Sequence, residues 1–444
     1  MKIAAVLLLV AALPVLGQTP PDLAALVDAQ LPALVATYKD LHTHPELSHY
    51  EVHTSAFFAG ELRKAGYQVT ERVGVYADGS QAYGVVAVVK NGAGPTVLVR
   101  TDLDALPIEE KTGLPYASHA RGTTLEGKDA PVMHACGHDI HITSLIGVAR
   151  LLAQLKDQWH GTLILIGQPS EETIDGARAM LADHLYERFG RPDYVLGQHD
   201  DPSFAAGVEA IVSGPVLASS TSVDVIIRGI GGHGARPEAT KDPIVMAAEY
   251  ILDIQSIVSR QLPPQEPAVV TVGTIHGGTK RNIIPDDVTL QLTVRTYSDQ
   301  VREKILDSLN KMAQGVTVSN GLPSDRMPIV TVSKTEITPV TYNDPTLAAR
   351  LRPVLIAVLG ADKVADGHAE MGSEDFGLFG LPGRQIPAFF LRVGATDPAK
   401  LVESERTGMP VPVLHSALFA PPPAPTLRTG VLGMTAAVLD LMKK

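Results

Sequence analysis

The sequence predicts an α/β protein in which one layered domain is interrupted by a smaller βαββαβ unit. Three observations lead there. Helical and strand patterns alternate through the first half of the chain, the order changes to βαββαβ from about residue 213 to about 330, and 444 residues exceed what one hydrophobic core usually holds. The expected division is a leader at 1–17, a main domain built from 18–212 and 331–444, and an inserted unit at 213–330.

Taken in chain order, residues 1–20 read MKIAAVLLLVAALPVLGQTP: one lysine, an apolar run from Ile3 to Leu13, the breaker Pro14, then small residues ending at Gly17. The run falls short of the about 20 residues a membrane span needs, so it predicts a secretory signal. The mature chain is then expected to start near Gln18, in a periplasm or outside the cell, with no transmembrane segment. Residues 22–41 and 51–66 have helical spacing. VVAVVK (85–90) and TVLVRT (96–101) are β-branched runs joined by the turn Gly92-Ala93-Gly94-Pro95. Ile140, Leu145, Val148, Ala149, Leu152 and Leu155 recur at three- and four-residue spacing and predict a helix from near Asp139. TLILIG (162–167) and YVLGQH (194–199) follow as strands. The inserted unit reads as strand STSVDVIIRG, helix 242–260, strands AVVTVGTIHG and DVTLQLTVRTY, helix 299–317 and strand PIVTVSK, a ferredoxin-like succession. AFFLRVG (388–394) and a last helix at 427–442 return to the main domain.

Acids outnumber bases 48 to 37, for a net charge of −11, and no long basic run offers a footprint for phosphates. Nucleic acid is therefore excluded as a partner. Four clusters of acids and metal-binding side chains instead follow predicted strands or open a helix: RTDLDALPIEE (100–110), MHACGHDIH (133–141), GQPSEET (167–173) and GQHDD (197–201). Ligands of open α/β sheets bind outside the carboxyl ends of strands, so these clusters are expected to converge. Cys136 is the only cysteine, and a free thiol in an oxidising compartment is either buried or held by something. Glu171 and Glu172 form either a solvated face or a buried pair needing a strong cation, with one acid for metal and one for protons. Asp102 and Asp104 pose the same choice. His199 ends a strand and His415 precedes a helix. Thiolate, imidazole and carboxylate together suit zinc, and also manganese, cobalt or nickel.

These motifs carry a family likeness. With HTHPELSHYE (42–51), GARAM (176–180), GIGGHGARPEATKDP (229–243), RNIIPD (281–286), GSEDF (372–376) and LHSALF (414–419), the sequence resembles the M20 metallopeptidase clan. Within the clan it is similar to the amidohydrolase subgroup of aminoacylases, hippurate hydrolases and auxin-conjugate hydrolases. The resemblance implies a mixed-sheet catalytic domain holding two divalent metal ions per subunit, zinc foremost, and an inserted lid that mediates homodimerisation. It implies Cys136, His138, Glu172, His199 and His415 as metal ligands, Cys136 bridging, and Glu171 as general base. Asp104 would orient metal-site groups, and His233 would polarise the scissile carbonyl from the partner subunit. Asn282 and Arg295 would hold the substrate carboxylate or neighbouring oxygens. Three departures stand out: Ser170 where the subgroup usually has alanine, Arg236-Pro237-Glu238 where many members have histidine after the proline, and a non-acidic stretch at Ala420-Pro421-Pro422-Pro423.

The implied reaction is hydrolysis of the amide of an N-acyl amino acid or related conjugate by metal-activated water. Rivals are a dipeptidase on the same scaffold, a cysteine hydrolase using Cys136 with His134 or His138 as base, and a non-catalytic binding protein.

Overall fold

The structure is a computed structural model describing residues 22–444. The leader, with its expected cleavage near Gln18, lies outside the described residues. Between them the chain builds one eight-stranded sheet and one four-stranded antiparallel sheet. Across the larger sheet the strands run Gln68–Val75, Gln81–Asn91, Gly161–Gln168, Thr96–Asp102, Tyr194–Ala205, Ala388–Thr396, Glu209–Ile211 and Val364–Asp366. The four central strands are mutually parallel, whereas the second strand is antiparallel to both of its neighbours, the first and the third. Parallel central strands put the residues after Thr101, Gly167 and Gly197 at one edge, because the register sets Asp102 beside Gln168 and Arg100 beside Gly197.

One face of the sheet is covered by helices Leu23–Thr43, His138–Gln154 and Pro423–Leu441, which share a core with the strands. His138–Gln154 is buried on almost every side, which explains why its sequence is apolar beyond a single stripe. The other face packs Val86, Leu98, Ile164, Val195 and Phe390 against Met180, Phe376 and Phe379. Among the described residues no helix is long and apolar enough to cross a membrane.

The inserted unit has the expected βαββαβ order. Its strands lie as Ala268–Gly277, Asp287–Thr296, Ser219–Arg228 and Ile329–Thr338, with helices Pro243–Ser256 and Asp299–Ser319 packed on one core. The sheet thus runs to Thr338, past the expected boundary near 330. Ile329–Thr338 is an edge strand exposed at Lys334, Thr335 and Glu336, so these polar residues end the apolar pattern before the pairing ends at the buried Thr338. Gly214–Leu217 and Thr341–Asn343 pair where the chain leaves and re-enters the main domain.

Candidate active site and metal centre

The four clusters meet at the carboxyl edge of the parallel strands. Asp104 follows Thr96–Asp102, Glu171 and Glu172 follow Gly161–Gln168, and His199 lies within Tyr194–Ala205. His138 opens its helix behind Gly137, whose backbone is left-handed at φ 76. A Cβ there would stand 1.9 Å from Asp200 Oδ2, so glycine is required between the two ligand-type residues. His415 arrives from the far end of the chain, its N–H bonded to the Ala135 carbonyl at 2.8 Å.

Cys136 is the hub. Its Sγ stands 3.5 Å from His199 Nε2 and 3.3 Å from His415 Nε2, and His415 Nε2 stands 3.5 Å from Glu172 Oε2. Cys136, His138 and His199 form one group with ligand atoms within 4.8 Å of one another, and Cys136, Glu172 and His415 form a second. Donors about 2.0–2.3 Å from one zinc ion stand roughly 3.3–3.8 Å apart in a tetrahedron, which these separations match. His138 Nε2 and Glu172 Oε1 are buried and have no hydrogen-bond partner among the described residues. The residues therefore fit two cations sharing the thiolate.

The surroundings hold these donors in place. Asp104 accepts from Ser48 Oγ at 2.6 Å, from the Glu171 N–H at 3.1 Å and from the Glu172 N–H at 3.0 Å, and the Asp104 carbonyl lies 2.8 Å from His138 Nδ1. The Asp200 carbonyl likewise takes His199 Nδ1 at 2.7 Å. These bonds leave Nε2 of both imidazoles facing the thiol side. Ser170, one of the three departures, is buried with φ 53; its hydroxyl donates to Glu51 Oε1 at 3.0 Å and meets the Tyr76 hydroxyl at 2.5 Å. The extra hydroxyl ties the turn before Glu171 to the N-terminal segment.

Electrostatics distinguish the acids. Burial, then the neighbouring Glu172 carboxylate, pushes Glu171 well above the usual carboxylate range, while Glu172 rises to about 7, again chiefly by burial. Burial and Glu172 also raise the Cys136 thiol. Asp102 goes the other way: burial opposes its charge, but His138, His141 and Arg100 more than offset that and hold it well below the usual range. Acids raised by burial and mutual repulsion are those that a divalent cation stabilises in the charged form.

These groups open into a cleft of about 620 Å³ between the main domain and the inserted sheet, walled by Ser220, Ser222 and Arg295 on the inserted side. Arg295 is anchored there by Nη1 donating to Ser373 Oγ at 2.6 Å. His233 and Asn282 do not line this cleft. They lie together at the outer edge of the insertion, where residues 232–233 pair with 283–284 and the Gly234 N–H donates to the Asn282 carbonyl at 3.0 Å. Two residues outside the set the sequence singles out also belong to the site: the buried Arg100, which donates to Asp102 at 2.6 Å, Gln168 at 2.9 Å and Asp375 at 3.4 Å, and Glu374, which lines the cleft. A charged residue inside the strand TVLVRT was the available signal. His141 bonds Asp102 Oδ1 through Nδ1 at 2.7 Å and accepts from the Asp200 N–H at 3.0 Å. His134 is buried, has no hydrogen-bond partner among the described residues, and is lowered to about 4 by that burial.

The description of peptidase family M20/M25/M40 matches residues 98–408. Hippurate hydrolase of Campylobacter jejuni is 37% identical over 341 residues, covering 76% of this chain and 82% of its own length. Thermostable carboxypeptidase 1 of Saccharolobus solfataricus is 34% identical over 349 residues, covering 78% and 82%. The solved structure of the Bacillus subtilis YXEP protein, described as a dinuclear metal-binding peptidase from the M20 family, has a TM-score of 0.73 at 28% identity and covers 94% of this chain and 100% of its own. With the family match running through most of the chain and a dinuclear relative sharing the fold, the protein belongs to peptidase family M20 and is one of its metal-dependent amidohydrolases, acting on C–N bonds.

Proposed function

We propose that the protein hydrolyses the amide bond of N-acyl amino acids or related amino-acid conjugates. The observation that carries this reading is Glu171 lining the same cleft as Arg295, beside two donor groups that share Cys136. Cys136, His138, Glu172, His199 and His415 are the metal ligands in this reading, and zinc is the ion their donor set suits best, with manganese, cobalt or nickel as alternatives. Bound divalent metal supplies Lewis acidity and a water whose pKa is lowered toward about 7. Glu171 takes the proton from the attacking water and passes it to the leaving nitrogen. A carboxylate raised by burial is suited to both transfers. Asp104 keeps Glu171 and Glu172 in register through their backbone N–H groups, and Arg295 receives the substrate carboxylate.

His233 and Asn282 reach a cleft, in this proposal, only from the partner of a homodimer formed through the insertion. The leader directs export, so the mature protein acts in a periplasm or outside the cell. A cysteine nucleophile is disfavoured, because burial raises the Cys136 thiol where an activated nucleophile would be lowered.

The test is a panel of N-acetyl and N-benzoyl amino acids alongside dipeptides, assayed on chelated enzyme refilled with zinc, manganese, cobalt or nickel. Release of amino acid from the acyl compounds is expected to exceed release from dipeptides. Faster cleavage of dipeptides would make the protein a peptidase, as the name of the Saccharolobus relative suggests. Failure of every metal to restore any hydrolysis would overturn the reading.

A further inference from the structure

The cleft contains an acid with no part in the reaction described. Glu374 lines it, yet is only 3% exposed, and neither of its carboxylate oxygens has a hydrogen-bond partner among the described residues. The cation beside it, Arg100, holds Nη1 3.8 Å from Oε1, beyond hydrogen-bond reach. Arg100 already serves Asp102, Gln168 and Asp375. A carboxyl group withdrawn from water without a donor is costly, so its place in the wall of a cleft calls for a donor on whatever enters.

The neighbouring residue indicates which donor. Ser373 accepts from Arg295 at 2.6 Å, so a free acceptor and a carboxylate-binding guanidinium adjoin on one wall. An amino acid linked through its nitrogen presents a carboxylate and an amide N–H one carbon apart. We propose that Glu374 accepts a hydrogen bond from the scissile N–H, and so selects amides that carry a hydrogen on nitrogen over esters and N-alkylated amides. This rests on the reading of the cleft as an amidohydrolase site. In the reaction the C–N bond breaks, a C–O bond forms from water, and the water proton taken by Glu171 ends on nitrogen. Glu374 gains and loses no proton. It keeps an acceptor oxygen whether ionised or protonated, and its bond to nitrogen strengthens as nitrogen becomes more positive.

The experiment compares wild type, Glu374→Ala and Glu374→Gln, each metal-loaded, on two substrates. One is the N-acetyl or N-benzoyl amino acid that wild type cleaves fastest. The other is its ester analogue with oxygen in place of N–H. Glu374→Ala is expected to lose about ten- to one-hundredfold in kcat/KM on the amide, the worth of one hydrogen bond to a charged group. On the ester it should stay within about twofold of wild type. Glu374→Gln, which retains a carbonyl oxygen, should recover part of the amide rate. Metal content, measured by atomic emission, should match wild type in both variants. Equal losses on amide and ester, no loss on either, or reduced metal content would overturn the assignment of Glu374 while leaving the amidohydrolase reading intact. Wild-type enzyme inert toward every acyl amino acid would overturn both.

Discussion

Replacing Gly137 by alanine should separate the two proposed ligands it joins, Cys136 and His138. Alanine in a left-handed backbone costs about 1 kcal/mol on its own. The new Cβ would also meet Asp200 Oδ2 at 1.9 Å, so atoms must part by about 1.5 Å to reach ordinary contact. Asp200 is fully buried, its backbone N–H and carbonyl are bonded to His141 and His199, and its carboxylate lies 3.4 Å from His141 Nε2 and 3.2 Å from His199 Nδ1, so a displaced carboxylate presses on those imidazoles. Displacement therefore passes to His199 on one side and to Cys136 and His138 on the other. The combined strain is about 2–4 kcal/mol, and part of it falls on the donor geometry, which should weaken metal binding roughly 10–100-fold. Competition with a chromophoric chelator measures the affinity, and urea unfolding of the chelated protein measures the strain. Wild-type metal affinity together with an unchanged unfolding midpoint would refute the role given to this glycine.

Glu171→Gln should keep its metal while kcat falls by about 10²–10⁴-fold, the usual worth of a general acid–base; full turnover with a normal metal content would remove Glu171 from the mechanism. Cys136 should resist iodoacetamide in metal-loaded enzyme and react after chelation, and an equal rate of labelling in the two states would argue against a metal-held thiolate. His42 gives a pH signature away from the cleft. Burial opposes its charge, but hydrogen bonds to Asp139 at 2.7 Å and Glu110 at 3.2 Å raise its pKa to about 10. A raised pKa means stabilisation that is complete below the ordinary value of 6.5 and lost as pH climbs through about 10. His42→Gln should cost about 3 kcal/mol at pH 6, with a gap to wild type that closes toward pH 10; a gap independent of pH in urea titrations would contradict the ion pair.

How much of the site was legible depends on how far each contact reaches along the chain. Asp104, Glu171, Glu172 and His199 could be placed together from the sequence, because each follows an apolar run and parallel strands end on one edge. The shared role of Cys136 came from family likeness, and geometry adds the distances from its sulfur to His199 and His415. What no local pattern could reveal is the bond from Arg100 to Asp375, between residues 275 positions apart. Arg100 looks like a polar interruption in a core strand, and Asp375 like a surface acid beside Phe376. Only the folded sheet makes them partners.

That pairing bears on why the site tolerates so much buried negative charge. Asp102, Asp104, Glu171, Glu374 and Asp375 are all buried in segments that meet around the site, and Glu172 is nearly so. The imidazoles of His138 and His141, with Arg100, neutralise part of this load at Asp102, which they hold well below the usual carboxylate range although burial opposes its charge. Glu171, Glu172, Glu374 and Asp375 are all raised by burial, although His138 partly offsets it for the first two and Arg100 for the last two. The fold thus divides its acids into those satisfied by its own cations and those that gain from a cation supplied from outside. Because such a cation binds the folded arrangement and competes with protons for the same donors, metal loading should stabilise the fold and weaken on acidification. A net charge of −11 spread over the chain carries no trace of this division, which depends on which acids His138, His141 and Arg100 adjoin.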